Sequence, residues 1–301
     1  FIFLNKSTVL WIVIAISLFF LFVFLRTFGI NFEFASIFDV YGVRGEFKEN
    51  LGASGSRLTA YATLFIGFLF APFLIVVGGI TLRGNITMGF FMIILGLISA
   101  SQVYATAAFK SVAAISVLSV VFSILIGRSR YPLYKFLTAI FVLILVLSIL
   151  QITNVNTSAL DHWFRRAFIS PGMNTNFYLE EFGWFNFGDS ASAPLTISLD
   201  YYGTQGSANT GIYGNGFARA GVFGVIFNLT IFVIFCIILD GVTKYVPASV
   251  SFPMAFITGY AFSNSATTAV MVSYGGIMLV IMLYLLSGSL KRDYGGISEY
   301  C

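Results

Sequence analysis

The chain has 301 residues, of which 58% are hydrophobic and 9% charged, with 16 Lys and Arg against 12 Asp and Glu for a net charge of +4. A soluble globular domain carries roughly 25% charged residues, so this composition, with a mean hydropathy of +0.93, excludes a water-soluble fold. Two cysteines, Cys236 in an apolar block and Cys301 at the end, exclude a disulfide framework and a zinc site.

The apolar residues fall in blocks near the roughly 20 residues that span a hydrocarbon core. In lipid such blocks must be helices, because a helix satisfies its own backbone hydrogen bonds. Runs such as Trp11 to Leu25 lack the alternation of a transmembrane barrel. The expected fold class is therefore all-α: a polytopic transmembrane bundle of about eight helices, one integral membrane domain over residues 1–301, with a large outward loop containing short helices.

The chain opens with Phe1, and FIFL before Asn5 and Lys6 reads as the tail of an earlier helix, so a preceding N-terminal segment is expected. In chain order, helices are expected at 8–28, 59–82, 86–104, 111–127, 136–152, 220–240, 250–264 and 269–288. The seventh is short and begins near Pro247 and Pro253, which predicts a broken or tilted element rather than a plain span. Two stretches, 29–58 and 153–219, are not membrane-like. The second is rich in aromatics and glycine and predicts a folded lid with short interfacial helices.

Lys and Arg in short loops mark the cytoplasmic side. Lys6, Arg83, the group Arg128, Arg130 and Lys135, then Lys244, and finally Lys291 with Arg292 all fall on one side if the chain alternates through eight helices. Both long loops then face outward. Eight of the 16 basic residues, Arg26, Arg44, Lys48, Arg57, Lys110, Arg165, Arg166 and Arg219, lie outward with them, where the bias should deplete cations. A guanidinium fork and an ammonium point charge suit phosphate oxygens, so these residues would cradle a phosphate group at headgroup depth. The alternative is pairing with acidic neighbours such as Glu33, Glu46 and Glu49, or snorkelling to lipid headgroups.

His162 is the only histidine, beside Asp161, Arg165 and Arg166. It has no companions at metal-ligand spacing, so no metal is expected; it is either a proton acceptor or an interfacial histidine bonded to loop backbone. The stretches GTQGSANTG and GNGFARAG lack the Gly-Lys-Ser/Thr ending of a nucleotide loop, and their glycines suit tight turns and close helix approach. The cations do not form the single patch that nucleic acid would need, so no nucleic-acid partner is expected.

The strings DVYGVRGEFKENLGASGSRLTAYAT, ATAAFKS, FRRAFISPGMNTNFYLEEF, YYGTQGSANTGIYGNGFARAGVFGV and NSATTAVMVSYGGIML occur in an order that resembles the bacterial O-antigen polymerases, or oligosaccharide repeat unit polymerases, over residues 39 to 288. The resemblance implies a glycosyltransferase C-like fold in the bacterial inner membrane, with 29–58 and 153–219 as periplasmic loops. It implies polymerisation of undecaprenyl-pyrophosphate-linked oligosaccharide repeat units into O-antigen or capsular-type polysaccharide, and no cofactor. Partners would be that lipid-linked oligosaccharide, membrane lipid and a chain-length regulator protein. Some family members carry Arg, ten residues, then Gly in outward loops; Arg44 with Gly55 fits this, whereas Arg165, Arg166 and Arg219 do not.

Under this resemblance Arg44, Arg57, Lys110, Arg165, Arg166 and Arg219 would bind pyrophosphate. Activation of the acceptor hydroxyl would fall to His162, Glu180, Glu181 or Asp200. Tyr178, Trp184, Tyr201, Tyr202 and Asn209 would line the glycan path, with packing inside the loop as the alternative use of the aromatics. Two other readings are an O-antigen ligase, which shares the architecture, and a transporter or flippase of lipid-linked sugars.

Overall fold

A computed structural model describes residues 5–34, 40–54, 56–125, 134–135, 137–138, 141–142, 170–185, 193–203, 208 and 211–294. Among the described residues every regular element is helical. In chain order these are α1 (Lys6–Phe28), α2 (Val40–Ser54), α3 (Arg57–Phe65), a π-helical turn (Ile66–Phe70) and α4 (Ala71–Thr81). They continue with α5 (Ile86–Ala107), α6 (Lys110–Leu125), α7 (Ser170–Phe182) and α8 (Ala193–Tyr202). The last four are α9 (Gly211–Thr243), α10 (Ala248–Asn264), α11 (Thr267–Val272) and α12 (Gly276–Tyr294).

Five stretches are long and apolar enough to cross a membrane: Lys6–Phe28, Arg57–Thr81, Ile86–Ala107, Gly211–Thr243 and Thr267–Leu290. Of the other three expected spans, α6 has 16 residues and α10 has 17. The helix expected at 136–152 lies largely outside the described residues. The chain divides into two compact units: residues 1–132, 239–258 and 271–301, and residues 133–238 and 259–270.

In the first unit α4 packs chiefly on α5 and α6, while α1 packs on α3 and α12. Small residues let α4 and α5 approach closely: a Cβ on Gly89 would collide with the Leu82 backbone nitrogen, and one on Gly96 would come within 2.8 Å of the Ala71 carbonyl oxygen. Without a hydrophobic drive between helices in lipid, such close approach supplies the packing contact. Side-chain caps close the helix starts: Asn5 accepts from the Ser7 N–H, Ser56 from Thr59 and Asn85 from Met88.

The π turn lies wholly in the interior of this unit, with Phe20 stacked on Phe70 at 5.5 Å. Against it sits the interruption before α12. Gly275 has φ +84°, a Cβ there would come within 2.7 Å of Leu69, and Tyr274 meets Phe68 edge-on at 4.7 Å. Irregular backbone at membrane depth persists only where protein covers it or a cavity solvates it. Here the π turn covers it.

In the second unit α9 is two arms rather than one rod. Ala220 (φ −154°, ψ 31°) and Gly221 (φ 56°, ψ −140°) break it. The first arm, 211–219, folds back along the second, so that a Cβ on Gly216 would come within 2.6 Å of Val225 Cα and one on Gly224 would collide with the Gly216 carbonyl. Asn228 Nδ2 donates to the Ile212 carbonyl at 3.1 Å, fixing the antiparallel register. The second arm, from Val222 to Thr243, keeps about 22 residues, enough to span a bilayer. Around the hairpin α7 and α8 build a core of Tyr178, Ala193, Ile197, Ala208, Phe217, Ala218 and Val225.

Candidate functional site

Five of the outward cations, Arg26, Arg44, Lys48, Arg57 and Lys110, lie on segments at one end of the first unit. The α1 C-terminus and the α3 N-terminus are tied by the Thr27 and Thr59 hydroxyls, 3.1 Å apart. Just beyond α1, Asn31 and Gln102 exchange hydrogen bonds: the Asn31 N–H donates to Gln102 Oε1 at 3.0 Å, and Gln102 Nε2 donates to the Asn31 carbonyl at 3.0 Å. Asn31 Nδ2 also donates to the Ala105 carbonyl at 3.2 Å, so the last turns of α5 belong to the same end.

The corner between α5 and α6 turns on Ala108, which has φ 49° and ψ 36°. An alanine in the left-handed region is strained by its own Cβ and persists where neighbours hold it. Arg44 of α2 does so, donating from Nε at 3.2 Å and Nη2 at 3.0 Å to the Ala108 carbonyl. Its guanidinium also lies 5.8 Å from the Phe109 ring centre, and Phe109 meets Phe47 edge-on. Two residues past Ala108, Lys110 opens α6 and is exposed; Arg57, also exposed, opens α3.

Both cations therefore sit where a helix starts and the macrodipole is positive. Exposed Glu33, Glu46 and Glu49 lie on the adjoining segments. Lys6 and Arg83 mark the opposite end of the unit, Arg83 in the turn that enters α5, about 33 Å along that helix from Ala107.

In the second unit the carboxylates line up with aromatics on α7 and α8. Tyr201 stacks on Phe177 with ring centres 4.2 Å apart. Burial raises the Tyr201 phenol above its ordinary range, and the charges of Glu180, Glu181 and Asp200 raise it further. Glu180 accepts from Asn176 Nδ2 at 2.6 Å, and Tyr202 donates to Asn174 Oδ1 at 2.6 Å. Tyr178 is different, for it is fully interior, donates to the Ala208 carbonyl at 3.0 Å, and has its phenol raised by burial.

Trp184 is half exposed beside Phe217, and its carbonyl accepts from the Val222 N–H at 2.8 Å, pinning the hairpin turn. A Cβ on Gly221 would collide with that carbonyl, which makes glycine necessary there. Arg219, exposed, stands two residues before this turn.

The structure thus brings Arg44, Arg57 and Lys110 to one end of the first unit. It places Glu180, Glu181, Asp200, Tyr178, Trp184, Tyr201, Tyr202 and Arg219 in the second. His162, Arg165, Arg166 and Asn209 lie outside the described residues. Among the described residues no group of His, Cys, Asp and Glu has the geometry to hold a metal ion. Sequence reading missed Asn31, Gln102 and the Ala108 corner, since amide pairs formed 71 positions apart leave no periodic signal. Compared with known proteins, the chain matches no family model, no curated protein and no solved structure.

Proposed function

We propose that the chain is a bacterial inner-membrane glycosyltransferase that polymerises undecaprenyl-pyrophosphate-linked oligosaccharide repeat units on the periplasmic face, crossing the bilayer about eight times. The observation that carries this reading is the gathering of Arg44, Arg57 and Lys110 at one end of the first unit, away from Lys6 and Arg83. Cations at a helix start, near the membrane boundary, suit the oxygens of a lipid diphosphate. In the reaction the acceptor hydroxyl attacks the sugar C1, the C1–O bond to the pyrophosphate breaks, and the lipid pyrophosphate leaves with the bonding pair. Arg57 and Lys110 stabilise that departing charge, where fixed positive groups lower the barrier most. The hydroxyl proton passes to a general base as the new bond forms.

Arg44 serves this site by holding the corner from which Lys110 projects. Reconstitution of the purified chain with a defined lipid-linked repeat unit tests the reading: polymer longer than one repeat supports it, and unchanged substrate overturns it. A second reading, transport of the lipid-linked glycan, is favoured by the interruption at Gly275 packed against the π turn, since discontinuous helices are common in transporters. Flipping of substrate without elongation in the same vesicles would select it.

A further inference from the structure

Helix α2 has 15 residues, VYGVRGEFKENLGAS, and Gly42, Gly45 and Gly52 are among them. Glycine is the poorest helix former after proline, because the chain gives up most freedom there on folding. Even alanine-rich helices of this length are marginal when isolated in water. The helical shape of α2 therefore depends on its docking.

That docking is narrow. Among the α2 residues whose burial is described, Phe47 alone is buried, whereas Glu46, Lys48, Glu49 and Asn50 around it are exposed. The Phe47 ring meets Phe28, at the end of α1, with centres 5.1 Å apart, and Phe109, just before α6, at 5.8 Å. Arg44 holds the Ala108 carbonyl with its two hydrogen bonds, and its guanidinium stands over the same Phe109 ring. Arg44 and Phe47 are three positions apart, hence neighbours on one face of the helix. Both anchors thus share one patch at the α5–α6 corner.

We propose that α2 is a strap that folds onto this corner and melts off it as one unit, with Arg44 as its latch. Docking and helix formation are then a single event, since neither survives without the other. The corner under the latch is strained, for Ala108 stands at φ 49° and ψ 36°, where its own Cβ is unfavourable. While the strap is docked, Arg44 holds that corner and fixes the start of α6, with Lys110 two residues on. When it leaves, Ala108 relaxes and the start of α6 shifts. The strap in this way sets the position of Lys110. The meaning of that shift for catalysis rests on the function proposed above, whereas the strap itself does not.

Hydrogen exchange of the full chain in nanodiscs, read by mass spectrometry, tests this. Amides across α2 should exchange together and faster than those in the middle of α5, as a segment that opens without global unfolding does. Arg44→Ala should speed exchange along the whole of α2 by about tenfold or more, because a charged group's hydrogen bonds are worth at least the 1.4 kcal/mol that converts to tenfold. Phe47→Ala should do the same, and both should leave the middle of α5 unchanged. If neither variant folds, Ala108→Gly keeps the test. Freed of the left-handed penalty, that corner holds the strap more tightly, and α2 should exchange more slowly than in the parent. Acceleration confined to the amides beside position 44 overturns the inference, as do α2 amides that exchange as slowly as those of α5. No polymer is needed for these readings. A chain that leaves a lipid-linked repeat unelongated but shows this exchange pattern loses the proposed reaction and keeps the strap.

Discussion

Arg44 and the Ala108 carbonyl are joined by two hydrogen bonds, from Nε at 3.2 Å and Nη2 at 3.0 Å, across the corner between α5 and α6. The carbonyl belongs to a residue held at φ 49°. An arginine read from the sequence as a phosphate ligand therefore also has a fixed structural partner. The fork geometry is what allows both bonds to reach one oxygen, and lysine has no such fork.

Arg44→Lys should accordingly lower stability nearly as far as Arg44→Ala, by about 1.5–3 kcal/mol, the range for hydrogen bonds made by a charged group. Thermal unfolding in detergent measures this. A lysine variant as stable as the parent would show that charge alone is needed at position 44.

Arg57 and Lys110 are exposed at the starts of α3 and α6, so alanine at either should change stability by no more than about 0.5 kcal/mol. Under the proposed function each should shorten or abolish the polysaccharide ladder on a gel. Normal chain length in both variants, with the protein present in the membrane, would remove them from the site.

The helical hairpin depends on contact between Gly216 and Gly224. Gly224→Ala should destabilise by about 1–3 kcal/mol, the cost of overpacking, because the new methyl meets the Gly216 carbonyl. Gly241→Ala, farther along the same helix where a Cβ meets nothing, should be neutral or stabilise by up to about 1 kcal/mol. Melting curves of the two variants, moving in opposite directions, report the hairpin directly.

Asn31 and Gln102 act as a reciprocal pair, so their effects should not add. A double-mutant cycle with Asn31→Ala and Gln102→Ala should give a coupling of about 0.5–3 kcal/mol, read from denaturant unfolding. Additive losses would mean that the two amides work independently.

Tyr178 offers a test by pH. Its folded phenol is raised above the unfolded value near 10, so the folded state holds this proton more tightly than the unfolded chain does. The resulting stability is complete below about pH 10 and declines as pH rises beyond it. Tyr178→Phe should lose about 1 kcal/mol at neutral pH, the usual worth of a hydrogen bond such as that to Ala208. The gap from the parent should narrow in alkaline solution; an unchanged gap would contradict the assignment.

Hydropathy was enough to find the long apolar helices of the first half of the chain, though not α2 (Val40–Ser54). The expected helices at 8–28, 59–82 and 86–104 correspond to 6–28, 57–81 and 86–107, because spanning segments must be long, apolar and internally hydrogen-bonded. The glycine pattern in GNGFARAG already suggested a turn and close approach, which Gly221 and Gly216 make. Hydropathy ended the outward loop at 219 but did not reveal that 211–219 reverses along 222–243, since the break lies in two dihedral angles. The π turn at Ile66–Phe70 was equally silent, for one extra residue per turn leaves composition unchanged.

Sequence alone determined that this chain is helical, apolar and rich in cations at segment boundaries, because hydrophobicity, helix length and charge are local properties. Tertiary structure decided which cations share an end, that Tyr178 is interior while Tyr202 is exposed, and that Arg44 holds a carbonyl 64 positions away. Those depend on which helices meet and at what depth, and contact between distant segments is set by packing rather than by any pattern along the chain.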